Sequence, residues 1–309
     1  MMNYLNIIRY KNLLLLAFMQ LLFRYGFLKQ QIIILTLNHF QFSILVLSTV
    51  LIAAGGYVIN NVFDQETDAL NKPNEAIVGK SISEAAAYNL YSVLTILGVS
   101  AGYYLSNVIM RPGFLSIFIF IAALLYFYAT TLKQIMIVGN VVIAFLLAFS
   151  VLIIGIFDIF PATDDSNRQI MGDFFSILKD YAIFAFVINF IREVVKDCQD
   201  YEGDLSQQMQ TLPIVIGLNK TSKILSVLII FPVVILFIYI YNQLMINQLY
   251  FSVLYSLIFI VAPLIFCSIN LWTVNDKIKF AKISTVLKLI IFFGILSIVI
   301  IDQNIKYNA

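Results

Sequence analysis

Asn61, Asp64 and Asp68 stand at i, i+3 and i+7 in the stretch NNVFDQETDALNKPN, residues 60–74. Asp197, Asp200 and Asp204, in DCQDYEGD, repeat that spacing, each 136 residues beyond its counterpart. On a continuous helix such positions share one face. Carboxylates crowded together repel by about 1 kcal/mol or more per close pair in partly desolvated surroundings, so a cation should offset them. Hard oxygen ligands of this kind suit Mg²⁺, which keeps several waters and bridges one or two carboxylates to substrate phosphates. His39 is the single histidine, and Cys198 and Cys267 lie far apart. Zinc and copper sites and a disulfide framework are therefore disfavoured. Lys72, Lys80, Lys133, Lys196 and Arg192 are cations able to meet phosphate oxygens, although each serves equally well as a positive anchor at a membrane surface. Arg192 and Glu193 precede Asp197 and lie deeper in the same apolar run. Ionisable groups at such depth point to function, with pairing that stabilises the bundle as the alternative.

The elements that must position these side chains are membrane helices. The 309-residue chain is 61% hydrophobic and 12% charged, and its mean hydropathy is +0.94. A soluble domain carries roughly twice that share of charge. The net charge of +2 selects no partner, and no basic cluster is dense enough for nucleic acid. Runs long enough to span a bilayer fall at about 11–28, 43–62, 84–107, 113–131, 134–157, 178–198, 221–242, 249–272 and 281–301. Within the first, the apolar stretch Leu13–Phe23 follows Arg9 and Lys11 as a signal peptide would, but no small-residue cleavage site follows it, so it is retained as a membrane helix. Ser83 and Thr221 occupy N-cap positions.

With the amino terminus cytoplasmic, eleven flanking cations lie inside: Arg9, Lys11, Lys72, Lys80, Lys133, Lys196, Lys220, Lys223, Lys277, Lys279 and Lys282. Six lie outside: Arg24, Lys29, Arg111, Arg168, Lys179 and Lys306. This excess sets the orientation and puts both acidic clusters on the cytoplasmic side. The clusters end the second and sixth runs, which point the same way. Similar tails follow, Ala76-Ile77-Val78-Gly79-Lys80 and Leu212-Pro213-Ile214-Val215-Ile216-Gly217. The expected fold is an all-α polytopic bundle of nine transmembrane helices. It comprises two parallel four-helix repeats, about 11–131 and 134–272, plus an extra helix at about 281–301. Solvated loop acids would explain one cluster; two clusters with matching spacing, at matching helix ends, argue against that reading.

These residues resemble the signatures of the UbiA-type intramembrane prenyltransferases. The first signature, N-D-x-x-D-x-x-x-D, is matched by Asn60 to Asp68 in all but one position, and the second, D-x-x-D-x-x-x-D, by Asp197, Asp200 and Asp204. The run from Arg192 through Glu202-Gly203-Asp204 to Thr211-Leu212-Pro213 resembles the archaeal-type branch that prenylates geranylgeranylglyceryl phosphate. Asn71-Lys72-Pro73, Leu132-Lys133 and Gly139-Asn140 also sit where the family has similar residues.

The resemblance implies Mg²⁺-dependent transfer of an isoprenyl group from a polyprenyl diphosphate to a lipophilic acceptor in the membrane. It implies catalytic roles for Asp64, Asp68, Asp197, Asp200, Lys133 and Arg192. Substrate contacts would come from Asn60, Lys72, Lys80, Asn140 and Lys196, and metal ligation from Asn61, Asp64, Asp68, Asp197, Asp200 and Asp204. Aromatic faces among the 27 Phe and 17 Tyr could stabilise an allylic cation, but their placement follows the spans and shows no separate pattern.

Two positions depart from the family. Asn61 replaces the usual first Asp, and Glu75 stands where many relatives have a basic residue. The diphosphate grip would then lean on Lys72, Lys80 and Lys133. Other acceptors, including aromatic quinone precursors and haem, are compatible with the fold. A cation-coupled transporter would favour acids near the bilayer midplane and helices broken in mid-span, whereas these acids lie at helix ends. A non-catalytic prenyl-lipid scaffold would tolerate loss of Asp64 and Asp200.

Overall fold

A computed structural model describes residues 2–67, 77–274 and 276–308. Among them, nine helices are long and apolar enough to cross a membrane. These are α1 (Tyr10–Gln30), α2 (His39–Phe63), α3 (Glu84–Val108), α4 (Pro112–Thr130), α5 (Val138–Ala162), α6 (Arg168–Gln199), α7 (Leu218–Met245), α8 (Tyr250–Thr273) and α9 (Lys277–Asn308). The protein is an integral, multi-pass membrane protein. Short helices at Met2–Ile7, Tyr201–Ser206 and Leu212–Ile216 complete the ends of the bundle. The only pairing of β type among the described residues is an isolated bridge between Val78 and Ile82.

Helix starts follow local chemistry. Asn38 and Gln41 form a reciprocal capping box before α2, and the Ser83 hydroxyl accepts from Ala86 N at 3.2 Å before α3. Thr221 does not cap α7. It lies one turn inside, its hydroxyl donating to Gly217 O at 3.0 Å, while Gly217 at φ +88° makes the turn into the helix. Helix α6 begins at Arg168, ten residues before the apolar run. Asp173, Lys179 and Asp180 depress hydropathy there without costing the backbone its hydrogen bonds. Helix α9 likewise overruns its apolar stretch at both ends.

Helix α2 packs on α1, α3 and α4, whereas α6 packs on α5, α7 and α9, and α7 packs on α8. One core joins Phe23, Phe42, Phe118 and Phe157 with parts of α1 to α6 and α9, and a second joins Ile188, Leu225, Leu264 and Leu287 across α6 to α9. At the end of the bundle away from the acidic clusters, Arg24 Nε and Asp158 Oδ2 pair at 2.6 Å with both side chains fully buried. Leu37 N donates to Asp158 Oδ1 at 2.8 Å and Thr36 N to Asp158 O at 2.9 Å, so the pair fastens the α1–α2 connection to α5. Arg24 is thus a buried strut and not the loop cation that its position suggested.

Among the described residues, the long helix that carries each acidic cluster stops at the middle aspartate. Asp64 terminates α2 with φ −96° and ψ 6°, and Asp200 terminates α6 with φ −96° and ψ 11°. Each amide still donates four residues back, Asp64 N to Asn60 O at 2.9 Å and Asp200 N to Lys196 O at 2.8 Å. Asp204 then rides on the short helix Tyr201–Ser206. Asp68, Lys72 and Glu75 lie outside the described residues.

Candidate active site

Helices α1, α2, α4, α5, α6 and α9 surround one cavity of about 240 Å³. Its walls are the apolar faces of helices read at helical spacing. Helix α2 contributes Thr49, Ile52, Ala53, Gly56, Tyr57 and Asn60, and α6 contributes Ala185, Asn189, Arg192, Glu193 and Lys196. Every one of these α6 positions lies 136 residues after a lining position of α2, the same offset that relates the acidic clusters. Helix α4 adds the stripe Phe118, Ile121, Leu125 and Tyr128.

The cavity is polar at the end bearing the clusters and apolar beyond. Asn60, which lines it, donates its amide to Asp64 Oδ2. Lys133 pairs with Asp64 Oδ1, the lysine side chain 9% exposed and the carboxylate 18%. Lys133 is delivered by a 3-10 turn, Leu132–Gln134, between α4 and α5. Gly139 lets the start of α5 close on that turn, because a Cβ there would lie 2.8 Å from Lys133 Cα. Between α5 and the end of α6, Asn140 Nδ2 donates to Asp197 Oδ2 at 2.7 Å; like Asp64 and Lys133, this pair lies outside the cavity lining itself. Gln210 N donates to Gln134 O at 3.0 Å, joining the loop beyond the second cluster to the turn that carries Lys133. Asn60, which bonds Asp64, and Lys196, one residue before Asp197, both line the cavity, so the two clusters begin at the same cavity.

Several expected residues take other positions. Asn61 turns its amide nitrogen to Tyr57 O at 2.7 Å and Ile7 O at 3.2 Å, bracing α2 against the N-terminal helix. Glu193 receives Lys196 Nζ at 2.6 Å and Arg192 Nη1 at 3.1 Å, so its charge is balanced within α6. Lys80 sits on an exposed turn after Gly79 and is not a cavity residue. Asp200 and Asp204 stand at the end of α6 beyond the cavity walls.

Other polar groups line the mouth without having been singled out from sequence: Arg9, Asn12, Tyr57, Tyr128, Asn189 and Lys288. Arg9 stands 5.3 Å over the Tyr57 ring, and Lys288 Nζ donates to Asn12 Oδ1 at 2.7 Å. Lys288 carried a usable signal, a cation inside an apolar run. Arg9 read only as an anchor before the first helix.

Among the described residues no three His, Cys, Asp or Glu side chains converge tightly enough to hold a metal ion by themselves. The available donors near the mouth are nonetheless all oxygens, and the buried Asn60 Oδ1 has no hydrogen-bond partner beside Asp64. That donor set fits a hard divalent cation that keeps part of its water and shares ligands with a bound phosphate.

Residues 33–296 match the UbiA prenyltransferase family. The chain belongs to that family. This UbiA chain is 33% identical to the digeranylgeranylglyceryl phosphate synthase of Saccharolobus solfataricus over 185 residues, which span 60% of each protein. It is 30% identical to the synthase of that name from Methanobrevibacter smithii over 241 residues, 77% of this chain and 81% of that one. The fold matches a structure described for digeranylgeranylglyceryl phosphate synthase with a TM-score of 0.64 at 23% identity, covering 98% of both chains. It also matches a UbiA homologue from Archaeoglobus fulgidus, described with GPP and Mg²⁺ bound, with a TM-score of 0.55 at 15% identity over 96% of this chain and 99% of that one. These structural likenesses establish the UbiA fold of nine membrane helices.

Proposed function

We propose that this protein is a Mg²⁺-dependent prenyltransferase that moves an isoprenyl group, such as geranylgeranyl, from its diphosphate to geranylgeranylglyceryl phosphate or a closely related lipid alcohol. The observation that carries the reading is a cavity with an apolar interior and a polar end lined by Asn60, Arg192, Glu193 and Lys196, which adjoin Asp64 and Asp197 at the ends of α2 and α6. Curated relatives named digeranylgeranylglyceryl phosphate synthase support the acceptor, and UbiA homologues described with GPP or DMAPP and Mg²⁺ support the donor and the metal. The mouth faces the cytoplasm in this reading, in keeping with the Lys/Arg asymmetry of the sequence.

Asp64 and Asn60 at the end of α2, and Asp197, Asp200 and Asp204 at and beyond the end of α6, are the residues that would hold magnesium with a diphosphate, together with Asp68. Bound there, the metal supplies Lewis-acid neutralisation of the leaving diphosphate. Lys133, Lys196 and Arg192 place fixed positive charge where negative charge grows on the phosphate oxygens as the allylic C1–O bond breaks. The face of Tyr128 and the apolar walls below it shelter the allylic cation from water. The acceptor hydroxyl oxygen then bonds to C1, its proton is lost to solvent at the mouth, and diphosphate departs.

The test uses purified protein, labelled geranylgeranyl diphosphate, Mg²⁺ and an acceptor panel. Labelled diether product should form with geranylgeranylglyceryl phosphate, vanish with EDTA, and fall at least about 100-fold in Asp64→Ala and Asp200→Ala. Undiminished product in both variants, or none with any acceptor in the wild type, rejects the proposal.

A further inference from the structure

Helix α4 grades the cavity in turns. Phe118, Ile121, Leu125 and Tyr128 form one stripe down its inner face, from Tyr128 at the polar mouth to Phe118 at the far end. At about 1.5 Å per residue the stripe descends about 15 Å, and Asp64 to Thr49 along α2 covers about 22 Å. With C–C bonds near 1.5 Å and tetrahedral angles, one isoprene unit with its four main-chain carbons spans about 5 Å. Three units therefore match the stripe, and a fourth fits between the floor and the carboxylates. One helical turn corresponds to one isoprene unit.

The floor is rigid. Phe118 is fully buried although it borders the cavity. Its ring lies against Gly102 of α3 so closely that a Cβ there would overlap it. From the other side it meets Phe157 of α5 with ring centroids 5.3 Å apart, and Phe157 meets Phe114 at 5.5 Å. At the same level Thr49 Oγ1 donates to Gln20 Oε1 at 2.8 Å while Gln20 Nε2 donates to Ser150 O at 3.1 Å, locking α1, α2 and α5 together. Below Thr49 on α2, Ser48, Leu45 and Phe42 are fully buried in packed core.

We infer that Phe118 is the chain-length stop of the donor site and that the α4 stripe above it measures the prenyl tail, admitting four isoprene units and rejecting a fifth. This rests on the proposed prenyl-diphosphate reading of the cavity and adds which donors it accepts.

The experiment compares allylic diphosphates of ten, fifteen, twenty and twenty-five carbons in wild type, Phe118→Ala, Phe118→Leu and Ile121→Trp. Turnover is measured as kcat/KM for each donor. Binding of the matching unreactive thiolodiphosphates is measured separately, so that tail length is ranked even without catalysis. Wild type should lose at least about tenfold between the twenty- and twenty-five-carbon donors. Phe118→Ala and the gentler Phe118→Leu should raise the twenty-five to twenty ratio about tenfold, and Ile121→Trp, which fills space instead of removing it, should move the optimum to fifteen carbons. A flat wild-type series means that the tail leaves the bundle sideways, and this overturns the inference. So does an unchanged ranking in Ile121→Trp and Phe118→Leu that bind donor. Absent turnover with the expected binding ranks would reject the prenyltransferase reading while leaving the length stop standing.

Discussion

Asp64 and Asn61 differ by three positions and by most of their surroundings. Both read from sequence as oxygen ligands, yet Asp64 meets Lys133 and Asn60 at the cavity mouth while Asn61 spends its amide nitrogen on two backbone carbonyls. The side-chain type was legible in both cases; the direction it takes was not, because Asp64 sits where α2 ends and Asn61 a turn earlier, against the N-terminal helix. Asp197 and Asn140, 57 residues apart, came from separate motifs and meet directly. At the far end of the bundle the same scale governs stability. Arg24 and Asp158 are fully buried, and removing one partner leaves the other desolvated and unpaired. Arg24→Met should cost about 3–5 kcal/mol of unfolding free energy, and Arg24→Met combined with Asp158→Leu should recover much of it. Denaturant titration of the detergent-solubilised variants measures both; equal losses in the single and double variants would contradict this account.

Helices are where the internal repeat becomes visible. The lining positions Thr49, Ala53, Gly56, Tyr57 and Asn60 of α2 map onto Ala185, Asn189, Arg192, Glu193 and Lys196 of α6 at one constant offset, and the two helices end in the same backbone conformation. These coincidences support our proposal that the chain is two four-helix repeats with α9 appended. The repeat is not carried into the packing, since α2 packs on α4 whereas α6 packs on α9. The connection between α4 and α5 is the element on which the mouth depends most. Gly139 permits the close approach of α5 to the Lys133 backbone, because a Cβ there would lie 2.8 Å from Lys133 Cα and must displace the turn. Gly139→Ala should raise KM for the diphosphate donor about tenfold with little change in fold, as read by steady-state kinetics beside circular dichroism. A variant with wild-type KM would show that Lys133 does not need that placement.

For the whole molecule, the two ends of the bundle are built for different tasks: carboxylates and cations around a cavity at one, a sealed ion pair and aromatic packing at the other. If the cavity mouth is cytoplasmic, Ser81 in the α2–α3 connection and Ser166 in the α5–α6 connection lie on opposite sides of the membrane. Ser166→Cys in intact cells should react with a membrane-impermeant maleimide, and Ser81→Cys should react only after permeabilisation; the native Cys198 and Cys267 are buried and should contribute little background. The reverse labelling pattern would invert the proposed orientation.

Hydropathy alone determined the nine runs that become, among the described residues, helices long and apolar enough to cross a membrane, because a bilayer demands about twenty apolar residues in a row wherever the backbone must satisfy itself. The spacing of the acids determined, together with the family resemblance, the chemistry to look for. Only the tertiary structure decided which cations meet those acids and that Arg9, Asn12, Lys288 and Phe118 line the same cavity. Such facts belong to contacts between helices far apart in sequence, and a pattern read along one helix says which face is apolar but not which neighbour it meets.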